Sequence, residues 1–190
     1  MQKTNSLVIE LFKSLEDGVS KGTLEGNILM FRNIKRAENY VYPLIESKKI
    51  IDKMLADYNK EMLNLYREYN AELIDNNFVI PRFIKKEDGT YDTSKLDPKF
   101  LEFKAKEEKL VLDNKELVVK HQEEESKYNE LLDKVIDPKT LNNFNFVEIP
   151  QKLIPKKANG DADINCYPLL EFGIIPIEEE KEEKKKKVKN

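Results

Sequence analysis

Between Ile51 and Tyr69, apolar side chains recur in alternating steps of four and three, at Ile51, Leu55, Tyr58, Met62, Leu65 and Tyr69. Those steps average close to one helical turn, so the set lines one narrow seam of an α-helix. Ile50, Met54, Leu63, Tyr66 and Leu73 widen the stripe. A second helix on the same register carries Phe103, Leu110, Leu117, Tyr128, Leu131 and Val135. Its seam also receives Glu107, Asn114, His121 and Glu124, so its middle is either less well buried or turned to a partner. Two long helices joined by a connector of modest length become neighbours only by running antiparallel. The spacing therefore predicts a mainly α chain built on a long antiparallel, coiled-coil-like helical hairpin.

Local signals divide the rest. Residues 1–22 read as a short N-terminal helix and connector: Ser6 as cap, then Leu7, Ile9, Leu11, Phe12 and Leu15 on one face, ended by Gly18 and Gly22. Residues 23–137 form the hairpin. Thr23 caps a helix carrying Leu24, Ile28, Phe31, Ile34 and Arg36, and Gly26 weakens its first turn. Pro43 is expected to kink or break it. Near 78–93 the connector turns β-like. Phe78 to Ile84 reads as one strand, held to an edge by Pro81, and Asp88-Gly89 is a hairpin turn. Asp97-Pro98 starts the second long helix and Asp137-Pro138 ends it. Residues 138–177 are expected to pack on the hairpin. They comprise a strand over Phe144 to Ile149 that pairs with 78–84, a turn at Asn159-Gly160-Asp161, and a short C-terminal helix from Asn165 to Gly173. Residues 178–190 carry charge almost exclusively and read as a disordered tail.

Charged residues make up 36% of the chain and hydrophobic residues 39%, which suits thin helical layers better than a deep sheet core. The net charge of −3 is spread over interleaved acids and bases, so nucleic acid is not an expected partner except through Lys184–Lys189, whose field the preceding glutamates offset. No apolar run approaches the roughly 20 residues that cross a bilayer. The N-terminal stretch lacks the basic-then-apolar layout of a signal peptide. A single cysteine suits a reducing compartment. These features point to a cytoplasmic protein that avoids membranes.

Catalysis has few candidates. His121 is the single histidine and lies among Gln122, Glu123, Glu124 and Glu125, where a solvent-facing or interface role explains it better than general-base work. Cys166 has no adjacent base to depress its pKa. Zinc of the structural kind needs more cysteine or histidine than one chain here offers. The loop Asp88-Gly89-Thr90-Tyr91-Asp92 lacks the closing glutamate of a calcium loop. With six glycines and no phosphate-cradling motif, no cofactor, metal or catalytic residue is expected, and an enzyme is not. Tyr58, Met62, Tyr66 and Tyr69 are the expected partner-binding anchors, because aromatic and methionine side chains dominate docking energetics.

The order of features adds one resemblance. An amphipathic opening precedes Leu24-Glu25-Gly26, a helix carrying Asn33-Ile34 and the run to Tyr69. Then come Glu87-Asp88-Gly89, the second helix, Val147-Glu148-Ile149-Pro150 and Leu169-Leu170-Glu171-Phe172. This resembles an uncharacterised family of small bacteriophage proteins, mainly from phages of Gram-positive bacteria. The resemblance implies a phage origin and no known activity. Two functions fit: a virion accessory or assembly factor that docks on a phage structural protein, or a regulatory protein that inhibits a host enzyme or defence protein. Self-association is compatible with either. If no catalysis is involved, alanine at both His121 and Cys166 leaves partner capture unchanged in a correctly folded chain. Loss of capture in that double variant would overturn the expectation.

Overall fold

The computed structural model describes residues 2–75 and 77–176. The charged tail, with Lys184–Lys189, lies outside the described residues. The fold is mainly α. Helices α1 (Asn5–Lys21), α2 (Leu24–Met54) and α3 (Ala56–Glu68) lead into strands β1 (Glu72–Ile74), β2 (Asn77–Val79), β3 (Phe83–Lys85) and β4 (Tyr91–Leu96). Helices α4 (Pro98–Asp113), α5 (Lys115–Asp133), α6 (Pro138–Phe144) and α7 (Tyr167–Glu171) follow. Two compact units emerge, one formed by the chain up to Lys48 together with the chain from Tyr128 on, the other by Lys49–Lys127. These bounds cut across the divisions at 22 and 137 expected from sequence.

The first unit holds a continuous apolar core. From α1 come Val8, Leu11, Phe12 and Leu15; from α2, Met30, Ile34, Ala37, Val41 and Leu44; from the C-terminal part, Ile136, Phe144, Ile149, Leu169 and Ile174. The cap of helix α1 is Thr4, two residues before Ser6: its hydroxyl accepts the amide of Leu7, and the helix starts at Asn5. Gly18 stays inside α1 rather than ending it. A Cβ there would meet the Met30 sulfur at 2.4 Å, so the glycine lets α2 approach. Thr23 caps α2 as expected, its hydroxyl accepting from Gly26 N–H at 3.3 Å. The glycine at 26 also has a tertiary reason: a Cβ would stand 2.8 Å from the Leu153 carbonyl.

Helix α2 runs unbroken through Pro43. Proline removes one helical hydrogen bond, but Val41 and Leu44 are buried on either side of it and hold both halves on the core. The interruption falls instead at Leu55, between α2 and α3, where φ is −98° and ψ is 8°.

The C-terminal part of the first unit departs furthest from expectation. Asp137-Pro138 starts a helix, as Asp97-Pro98 does: Asp137 accepts the Thr140 amide at 3.0 Å, and Asp97 accepts that of Lys99 at 2.8 Å. The strand expected over Phe144 to Ile149 does not form. Phe144 ends α6, Asn145 turns left-handed (φ 43°), and the chain beyond is irregular. Its backbone is satisfied by a side chain. The carboxamide of Asn33 donates to the Val147 carbonyl at 2.8 Å and accepts the Val147 amide at 2.7 Å. Ile149 N–H donates to the Ile174 carbonyl at 2.6 Å. At the other end, Asn5 donates to the Leu131 carbonyl at 2.7 Å and accepts the Tyr40 hydroxyl at 2.6 Å. These bonds tie the N-terminal segment and α2 to the end of α5.

In the second unit, α3 and α4 run antiparallel: Leu65 lies near Leu110, Glu68 near Lys106, and Tyr69 near Phe103. The run from Phe78 to Ile84 is shared between two ribbons, β1–β2 and β3–β4, with Pro81 in the gap. The Asp-Gly turn forms in the second ribbon, with Gly89 at φ 85°. The first ribbon turns on Asp75 at φ 48°, a weaker signal in sequence.

Asn33 is fully buried. Its loss would strand both polar groups of Val147, each costing roughly 1–3 kcal/mol when unsatisfied. Asn33→Ala is expected to lower stability by about 3 kcal/mol in urea denaturation; a loss under about 0.5 kcal/mol would show that water replaces the amide.

Candidate functional site

The four anchors expected from sequence lie on the α3 seam, and each is half-buried. Tyr66 stacks on Phe78 with ring centroids 5.2 Å apart and tilts against Phe103 at 5.4 Å. Its hydroxyl donates to the Glu107 carboxylate over a long 3.4 Å. Burial, followed by the Glu107 charge, pushes the phenol above its ordinary pKa. Tyr69 meets Phe103 edge-on at 5.7 Å, and the Lys106 ammonium lies 5.0 Å from its ring centre. Lys106 also bonds Glu68 at 2.7 Å, which raises its pKa. Tyr66 and Tyr69 thus help hold α3 to α4, with Phe103 buried between them. Tyr58 and Met62 continue the same seam.

The polar residues of the second helix also turn inward: Glu107, Asn114, His121 and Glu124 are all half-buried. Asn114 donates to the Leu110 carbonyl at the break between α4 and α5. His121 Nδ1 lies 3.9 Å from the Glu125 carboxylate. Burial pushes the Cys166 thiol up, away from the thiolate form that reacts. His121 and Cys166 belong to different units. Asp88 accepts both the amide and the hydroxyl of Thr90, at 2.9 and 2.6 Å, which lowers its pKa. Both bonds fall on the same carboxylate oxygen and belong to the turn.

Exposed apolar side chains occur in both units: the ribbons expose Leu73, Ile74, Val79 and Tyr91, and a second set lies on α2. On the first half of α2, Leu24 is 80% exposed, Ile28 47% and Phe31 52%. Their spacing of four and three puts them on one helix face, opposite the buried Met30, Ala37 and Val41. Lys35, Glu38 and Tyr42 continue that face on the same register. The Lys35 ammonium lies 5.5 Å from the Phe31 ring centre and bonds Glu38 at 2.8 Å. Tyr42 remains 46% exposed while its ring meets Phe12 edge-on at 5.4 Å. Leu24, Ile28 and Phe31 are visible in sequence as helix positions. The signal for their exposure is the second, wider stripe through Met30, Ile34, Ala37, Val41 and Leu44, which takes the core side.

Among the described residues, no helix is long and apolar enough to cross a membrane. No protein-family model matches this chain, and neither a curated protein nor a solved structure does.

Phe103 is 3% exposed at the crossing of α3 and α4, so Phe103→Ala is expected to cost about 3 kcal/mol. The loss should appear as faster hydrogen exchange at α3 and α4 amides. Tyr66→Phe removes only the long bond to Glu107 and should cost less than about 0.5 kcal/mol. Equal effects would mean that the hydroxyl, not the ring, holds the helices.

Proposed function

We propose that this protein acts by stoichiometric docking on another protein rather than by chemistry, as a bacteriophage-encoded assembly or virion accessory factor. The supporting observation is the α2 stripe. Leu24, Ile28 and Phe31 form an apolar ridge on a helix whose opposite face is anchored in a packed core. A rigid ridge loses little conformational entropy on binding, and contiguous exposed apolar surface marks interaction sites. The docking anchors are therefore assigned to α2, with Tyr66 and Tyr69 kept for holding the α3–α4 pair. The phage setting rests on the order of sequence features, and it places the protein in the host cytoplasm and the particle.

Co-purification from infected cells tests this reading. The unaltered protein should recover a phage structural protein at fixed ratio. The Phe31→Glu variant, with unchanged circular dichroism and melting, should lose at least about tenfold of that capture. Equal recovery by both would remove the stripe from the function. Recovery of a single host enzyme or defence protein would replace assembly with inhibition.

A further inference from the structure

The ends of α6 and α7 and the N-terminal segment border a hollow of about 400 Å³ in the first unit. Its lining includes Lys3, Leu141, Asn142, Asn145, Phe146 and Phe172. That volume lies toward the small end of the range for ligand pockets. None of these residues belongs to the α2 ridge, so the site stands apart from the docking reading. We propose that the hollow binds the free C-terminus of a peptide whose last residue is large and apolar.

The lining selects that ligand through charge, pairing and shape. Among the described residues the Lys3 ammonium has no carboxylate partner, and it lies 5.2 Å from the centre of the Phe172 ring. One uncompensated positive charge matches one carboxylate, whereas a phosphate draws arginine or several cations. The carboxamides of Asn142 and Asn145 are exposed, and neither is hydrogen-bonded among the described residues. A carboxamide carries the donor and acceptor of a peptide group, so it can pair with the backbone next to a terminal carboxylate. Phe146 meets Phe172 edge-on at 5.7 Å and tilts against Phe144 at 5.2 Å, which gives the last side chain an apolar wall. The lining is held before any ligand arrives. The Lys3 carbonyl accepts the Ile136 amide at 2.8 Å, beside the bridge between Thr4 and Val135. Asn145 is fixed in a left-handed turn (φ 43°) at the end of α6. Groups held in place lose little entropy on binding.

The probe is acetyl-glycyl-phenylalanine with a free carboxylate, titrated into the full chain and followed by NMR at the Asn142 and Asn145 carboxamides. Its dissociation constant should be on the order of 100 µM. The same peptide ending in an amide should bind at least about tenfold more weakly. So should phenylpropionate, which keeps the ring and the carboxylate but has no peptide groups. Lys3→Met keeps the stem over Phe172, and should weaken the acid about tenfold while leaving the amide unchanged. Asn145→Gly keeps the left-handed turn, and should weaken acid and amide alike by about fivefold. Equal binding of acid and amide by the unaltered protein, or no shift at about 5 mM peptide, would overturn the proposal. Phenylpropionate binding as tightly as the peptide would overturn it too, in favour of a small aromatic carboxylate. Phe31→Glu should leave every one of these titrations unchanged, so the hollow and the α2 ridge stand or fail separately.

Discussion

The carboxamide of Asn33 carries more of the first unit than its size suggests. It is fully buried on α2, and both its donor and its acceptor are spent on the backbone of Val147, more than a hundred residues downstream. An amide side chain presents the same donor and acceptor pair as a peptide group, so it serves the irregular segment after α6 as a strand neighbour would. With Val147 fixed, Ile149 reaches Ile174, and the C-terminal segment lays Ile149, Leu169 and Ile174 into the α1–α2 core. Asn5 plays the matching part at the end of α5. Asn33 thus satisfies a segment without a sheet partner, while Asn5 closes the end of a helix whose following residues bridge to Thr4.

The second unit meets a different constraint. A layer only two helices thick excludes water poorly, and among its described residues Ile51, Leu65 and Phe103 are the buried apolar side chains, each keeping a few per cent of exposure. Aromatic packing compensates: Tyr66, Tyr69, Phe78 and Phe103 interlock at centroid distances of 5.2 to 5.7 Å. Tyrosine suits such a seam because its ring buries while its hydroxyl stays near water or a carboxylate. This explains how Glu107 sits at a seam position, where it accepts the Tyr66 hydroxyl.

Helix α2 carries two faces of different fate. One supplies Met30, Ala37, Val41 and Leu44 to the core, and the other leaves Leu24, Ile28 and Phe31 in water. Stability alone gives no reason for the second ridge, since polar residues there would keep the fold and improve solubility. An exposed ridge on a helix that cannot rotate is a surface suited to binding, which is why the proposed docking face is set there and not on the better-packed tyrosines.

What the sequence determined by itself is local. The four-three register turns 51, 55, 58, 62, 65 and 69 inward across the break between α2 and α3, and 103, 107, 110, 114, 117, 121 and 124 inward across that between α4 and α5, while Val135 at its end is exposed. The caps at Thr23 and Asp97, the turns at Gly89 and Gly160 and the stop at Gly173 are equally legible. Each is decided within about one turn of backbone, where a side chain meets only its own neighbours. Tertiary structure decided the rest. Asp137-Pro138 was legible as a helix boundary, but whether a new helix followed depended on what Phe144 could pack against. The segment from 144 to 149 had strand-like composition, yet the partner that satisfied it was Asn33 and not a strand. The ribbon at 78–84 split at Pro81 because a second ribbon competed for Phe78, which stacks on Tyr66. Above all, α2 bears two apolar stripes of helical period, and periodicity cannot rank them. The choice falls to the surfaces of α1 and the C-terminal segment, which close over Met30 and Val41 and leave Phe31 outside.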